Sequence, residues 1–146
     1  MTFAMAAQEY KEMFRNSKFK LNKGEKIRRR AKEENVPDEP GVYLIYSVTK
    51  KGSEVVYIGK AGTFLRKGTF TQQKLFGRLT RGKHDGKSAQ RFLEELMSRR
   101  GVKFLEIHWF ATFNQKSSII PGKAEADLIQ VYFDEHEELP LRNKTA

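Results

Sequence analysis

The 146-residue sequence contains no cysteine. Disulfide frameworks and thiolate zinc sites are thereby excluded, and a reducing compartment suits the chain. Its start, MTFAMAAQEY, has neither a basic leader nor a long apolar core, so no secretory signal is expected. No apolar run approaches the roughly 18 residues that span a bilayer. Internal repeats, low-complexity tracts and flexible linkers are missing too. These absences lead to the expectation of a soluble, cytoplasmic protein with no membrane partner. At this length one hydrophobic core is expected rather than two.

Acidic residues are scarce in one stretch. The chain carries 28 Lys+Arg against 18 Asp+Glu, for a net charge of +10. Between Lys60 and Lys103, twelve basic residues face only Asp85, Glu94 and Glu95, so this stretch alone supplies +9. A concentrated positive field attracts a polyanion and supplies the salt-sensitive part of nucleic-acid affinity.

The first forty residues read as a helical extension. Phe3, Ala6, Tyr10, Met13 and Phe14 share a helical face that Asn16-Ser17 interrupts. A basic helix is expected from about Lys23 to Glu34, with Asn22 as its N-cap and Ile27 and Ala31 facing inward. Pro37 and Pro40 stop it and force an extended entry into residues 41–146. There, Gly41–Tyr46 and Glu54–Gly59 are rich in β-branched and aromatic residues and read as a hairpin. Helices are expected around Thr71 to Thr80 and from Ser88 to Arg100, separated by an Asp85-Gly86 turn. Lys103 to Phe113 reads as a third strand, and Lys123 to Phe133 as the last helix.

Four features on these elements carry chemistry. The first strand opens with Gly41-Val42-Tyr43 and the second closes with Tyr57-Ile58-Gly59-Lys60. Glycine at a strand end permits close backbone approach, and an adjacent tyrosine presents a hydroxyl at the sheet edge. Arg78, within Leu75-Phe76-Gly77-Arg78-Leu79, is suited to clamping a phosphate. Glu125 shares the expected inner face of the last helix with Leu128, Ile129 and Tyr132. An inward carboxylate needs a partner, and a metal ion is one; complementing the helix dipole is the alternative.

Together these residues resemble the GIY-YIG nuclease superfamily. Gly41-Val42-Tyr43 looks like its first motif, Tyr57-Ile58-Gly59 its second, Arg78 its helix arginine and Glu125 its metal-binding glutamate. Asn143, in Pro-Leu-Arg-Asn, looks like the asparagine near the domain's end. The likeness covers Gly41 to Asn143, and the Leu-Phe-Gly-Arg-Leu run with a following histidine resembles the superfamily's restriction enzymes. Lys60, directly after the glycine, resembles the incision subunit of bacterial excision repair. Ala61 to Gln73 reads as an insertion, which makes Arg66 a rival to Arg78. His84 lies six residues beyond Arg78, outside the reach of one helical face, and receives no role.

The resemblance implies an α+β fold: a three-stranded antiparallel sheet flanked by helices, with the site on one sheet face. It implies a DNA endonuclease with one Mg²⁺ or Mn²⁺ on Glu125 and Arg78 on the phosphate. A tyrosine hydroxylate, Tyr57 or Tyr43, activates water, helped by Lys60 and the metal because free tyrosine is a poor base at neutral pH. The expected partner is double-stranded or branched DNA, with the oligomeric state left open. The alternative is a nucleic-acid-binding module that keeps the fold and does not cut.

Overall fold

Lys18-Phe19-Lys20-Leu21-Asn22 alternates polar and apolar residues, and it is extended, not a connection between two helices. The computed structural model describes residues 1–146. The elements run α1 (Phe3–Met13), β1 (Arg15–Asn22), α2 (Ile27–Glu33), β2 (Gly41–Thr49), β3 (Gly52–Ala61), α3 (Leu75–Arg81), α4 (Ala89–Met97), β4 (Phe104–Ala111) and α5 (Pro121–His136). The architecture is α+β. The sheet has four antiparallel strands, not the three expected, in the order β1-β4-β2-β3.

The additional strand comes from the segment expected to be only helical. Residues Arg15 to Asn22 pair with Ala111 to Phe104 along the outer side of β4. Phe19 and Leu21 point into the core while Lys18 and Lys20 stay outside. Asn22 therefore ends β1 and does not cap α2. A turn through Gly24, at φ +86°, separates them. α2 starts later, at Ile27, whose N–H donates to Gln90 Oε1 at 2.8 Å.

Helices cover both sheet faces. One side buries Tyr43, Ile45, Val56, Leu105 and Ile107 against α2, α3 and α4, through Ile27, Ala31, Leu75, Leu79, Phe92 and Leu96. The other buries Val42, Leu44, Ile58 and Phe110 against α1 and α5, through Phe3, Ala6, Ala124, Leu128 and Ile129. This split follows from the period-2 alternation of β2, whose successive side chains enter opposite layers. α4 is the most amphipathic helix, and the Ser88 hydroxyl caps it by accepting from the Arg91 N–H. α3 is shorter than expected because Thr63 to Thr71 fold into a hairpin of their own, with Phe64 bridged to Phe70. No helix is long and apolar enough to cross a membrane.

Two glycines are fixed by close contact. At Gly41 a Cβ would run into the Phe110 carbonyl oxygen of β4, and at Gly59 into the Tyr43 ring. β2 and β3 pair Tyr43 with Gly59 directly, so the phenol lies across a strand position with no side chain. That pairing sets where Tyr43 projects.

Candidate active site

The three-layer arrangement gathers side chains far apart in sequence at the β3 edge. Tyr43 is completely buried, and its hydroxyl lies 2.7 Å from His84 Nε2. Asp85 and Gly86, both at positive φ, form a two-residue turn that closes a short hairpin between His84 and Lys87. That turn projects the buried His84 ring towards Tyr43. His84 Nδ1 donates to the Gly82 carbonyl at 3.1 Å, which leaves Nε2 to accept the Tyr43 hydroxyl proton. His84 thus joins the group that sequence reasoning had left without it. The relevant signal was the Asp-Gly turn, not helical spacing.

Arg78 lies at the centre of this group. A Cβ at Gly82 would sit 2.7 Å from Arg78 Cδ and 2.8 Å from Nη1, so the guanidinium folds back over the C-terminal end of α3. Its charge acts on Tyr43, His84 and Glu125 alike. Burial pushes the Tyr43 phenol well above its ordinary value, Tyr57 adds to the rise, and Arg78 opposes it. Burial, with help from the Arg78 charge, pushes His84 down to about 4. His84 is therefore neutral at physiological pH. Burial holds the phenol protonated and the imidazole neutral, so the proton stays on Tyr43 in the resting site. Tyr43 is consequently a fixed hydrogen-bond donor.

Tyr57 differs. It is half-buried and lines an open cavity of about 380 Å³ together with Phe92, Glu125, Ile129, Arg142 and Asn143. Its ring packs edge-on against Phe92 and His84, which fixes its orientation, and its hydroxyl lies beside that of Tyr43. Glu125 reaches the cavity from α5. Burial raises its carboxyl pKa, and the charges of Lys60 and Arg78 counter the rise. Neither cation forms a direct ion pair with it, so both carboxylate oxygens remain available. Lys60 is exposed at the end of β3, and a Cβ at Gly122 would lie 3.9 Å from its Nζ. The site therefore straddles the open edge of β3, where the two helical layers meet, and does not occupy one sheet face.

Asn143 holds that edge in place. Its Oδ1 accepts from the Ile58 N–H at 2.9 Å, and its Nδ2 donates to the Ile58 carbonyl at 2.8 Å. The Arg142 N–H donates to the Val56 carbonyl at 2.9 Å. The tail thus pins β3 on both sides of Tyr57 and satisfies an otherwise open sheet edge. Arg142 itself was not singled out from the sequence. Its Nε is buried without a partner, and its side chain lines the same cavity.

Glu125 is the one oxygen donor at the cavity that could hold a hard divalent ion. No three His, Cys, Asp or Glu side chains gather anywhere in the chain. The other carboxylate at the cavity, Asp85, is engaged by Lys144 at 2.9 Å. Glu125 alone would hold the ion, the rest of its shell being water and substrate oxygens, as Mg²⁺ accepts. Arg66 lies elsewhere, exposed on the Thr63–Thr71 hairpin. A larger concavity of about 640 Å³ lies beside α2, but Arg29 there is paired with Glu33. Comparison with known protein families, characterised proteins and solved structures finds no match to this chain.

Proposed function

We propose that this protein is a metal-dependent endonuclease that hydrolyses DNA phosphodiester bonds on a GIY-YIG-type core. One observation carries the reading: Tyr57 of β3 and Glu125 of α5 line one polar cavity beside the Tyr43–His84 pair, and the Arg78 charge acts on Tyr43, His84 and Glu125 together. The cavity belongs to a strongly basic chain, as a phosphate substrate requires.

Phosphodiester hydrolysis needs an activated water, neutralised phosphate charge and a stabilised leaving oxygen. Arg78 supplies fixed positive charge to the phosphate, and Arg142, with its unpartnered Nε, supplies a second donor. Tyr57, acting as its phenolate, takes the proton of the attacking water and becomes the neutral phenol. Tyr43 and His84 act through Arg78 and Tyr57 as positioning residues. Lys60 and Arg78 favour the ionised form of Glu125, against the burial that raises its carboxyl pKa. One bound Mg²⁺ or Mn²⁺ would supply Lewis-acid stabilisation of the developing charge.

The test is purified protein on supercoiled plasmid with Mg²⁺ or Mn²⁺. Nicked and linear products are expected. Plasmid that is bound but stays supercoiled would instead make the protein a nucleic-acid-binding module of the same fold.

A further inference from the structure

The hairpin from Thr63 to Thr71 interrupts the path from β3 to α3 and is not needed by the sheet. Its stem is closed by hydrogen bonds between Leu65 and Thr69 at 2.7 Å and between Thr71 and Thr63 at 3.0 Å. Phe64, Phe70 and Phe113 pack together beneath it, with ring centroids 4.9 to 5.8 Å apart, so the projection is braced. Gly68, at φ +85°, makes the turn. At the tip Leu65 is 45% exposed and Phe64 37%, directly beside the exposed Arg66 and Lys67.

Neither Arg66 nor Lys67 has an acidic partner. From Val55 to His84 the chain contains no Asp or Glu, while Lys60, Arg66, Lys67, Lys74, Arg78, Arg81 and Lys83 all lie in that span. The cations of α2, by contrast, include Arg29 and Arg30, which are matched by Glu25, Glu33 and Glu34. An apolar side chain held on a braced turn directly before two free cations has the composition of a wedge that enters a groove while its neighbours hold the phosphates. Eight residues separate Leu65 from Tyr57, which lines the cavity, so the tip lies within about 27 Å of it. A duplex advances about 34 Å per turn, so one molecule covers both.

We propose that the Thr63–Thr71 hairpin is a duplex-DNA wedge, in which Leu65 inserts between base pairs and Arg66 and Lys67 hold the flanking phosphates. This rests on reading the protein as acting on DNA, and it adds that the duplex is deformed beside the cavity. The wedge also accounts for Leu65 remaining apolar at an exposed tip.

The experiment measures binding with chelator present, so that nothing is cut. Affinity is read on a labelled duplex over a salt series. Unwinding is read as the linking-number change of closed plasmid relaxed by a metal-independent topoisomerase. Wild-type protein should lower the linking number. Leu65→Ala should bind roughly tenfold more weakly and, at saturation, leave the linking number unchanged. The Arg66→Ala, Lys67→Ala double variant should lose about two units of salt slope. All three side chains are exposed, so folding is preserved and a melting curve checks it. Wild-type affinity and unwinding in both variants would overturn the wedge, as would no binding by wild-type protein. Cutting assays with Mg²⁺ separate the two proposals. Unwinding without cutting removes the nuclease and keeps the wedge, whereas cutting that is indifferent to Leu65 does the reverse.

Discussion

Removing one oxygen separates the two tyrosines. Tyr43→Phe keeps the buried ring over Gly59 and deletes the 2.7 Å hydrogen bond to His84. The His84 Nε2 is then a buried acceptor without a partner, which costs about 1–3 kcal/mol. For a chain of this size each kcal/mol lowers the melting temperature by about 3 °C, so a fall of roughly 3–9 °C is expected. Tyr57→Phe removes a partly solvated hydroxyl at the cavity, so its effect on stability should be smaller, within about 1 kcal/mol. The rates should rank the opposite way: Tyr57→Phe loses several orders of magnitude in plasmid cleavage, and Tyr43→Phe loses less. Thermal melts and single-turnover cleavage on the same preparations read both quantities. A double-mutant cycle adds His84→Phe, in which background Tyr43→Phe should cost less than it does alone. A Tyr43→Phe variant that melts with wild type, or a Tyr57→Phe variant that cuts at the wild-type rate, would refute the assignment.

Arg78→Ala should lower the cleavage rate by roughly 10² or more, the size expected for one preorganised charge contact, measured under single-turnover conditions; a rate within a few-fold of wild type removes Arg78 from the phosphate. Acid should destabilise the fold through two histidines. His84 and His108 are both held near 4, in each case mainly by burial, with Arg78 adding to the first and Lys11 and Lys18 to the second. Between the ordinary 6.5 and about 4 the unfolded chain binds more protons than the folded one, so stability is complete above 6.5 and falls as pH drops towards 4. The unfolding free energy from urea titrations should decline across that window by a few kcal/mol in total, less steeply in His84→Phe; a flat free energy contradicts the burial argument.

Much of the fold was legible because its inner strands carry dense signals. Gly41 to Tyr46, Glu54 to Gly59 and Lys103 to Phe113 are runs of β-branched and aromatic residues; the first two lie inside the longer β2 and β3, and the third contains β4. β1 escaped because only Phe19 and Leu21 of its eight residues are buried. Its conformation depends on the free edge of β4, a partner some ninety residues away that no local pattern reveals. Asn22 and Asn16-Ser17 resemble helix punctuation but sit in that strand. The candidate site divides in the same way. Tyr43, Tyr57, Arg78 and Glu125 were visible as motif positions on elements of the right kind. His84 and Arg142 were not, because a turn and a tail place them, and neither leaves a periodic trace. Asn143 was found, while its task of gripping Ile58 on both backbone groups became visible only with the sheet edge.

The central claim is that Glu125 serves a metal ion needed for cutting. The most direct measurement compares wild type with Glu125→Gln on supercoiled plasmid, each with Mg²⁺ and with excess chelator, alongside binding to the same DNA. The substitution keeps the side chain's size and removes its charge. Cleavage should disappear in the variant and in chelator alike, while DNA affinity stays within a few-fold of wild type. Glu125→Gln cutting at the wild-type rate in excess chelator would contradict the account.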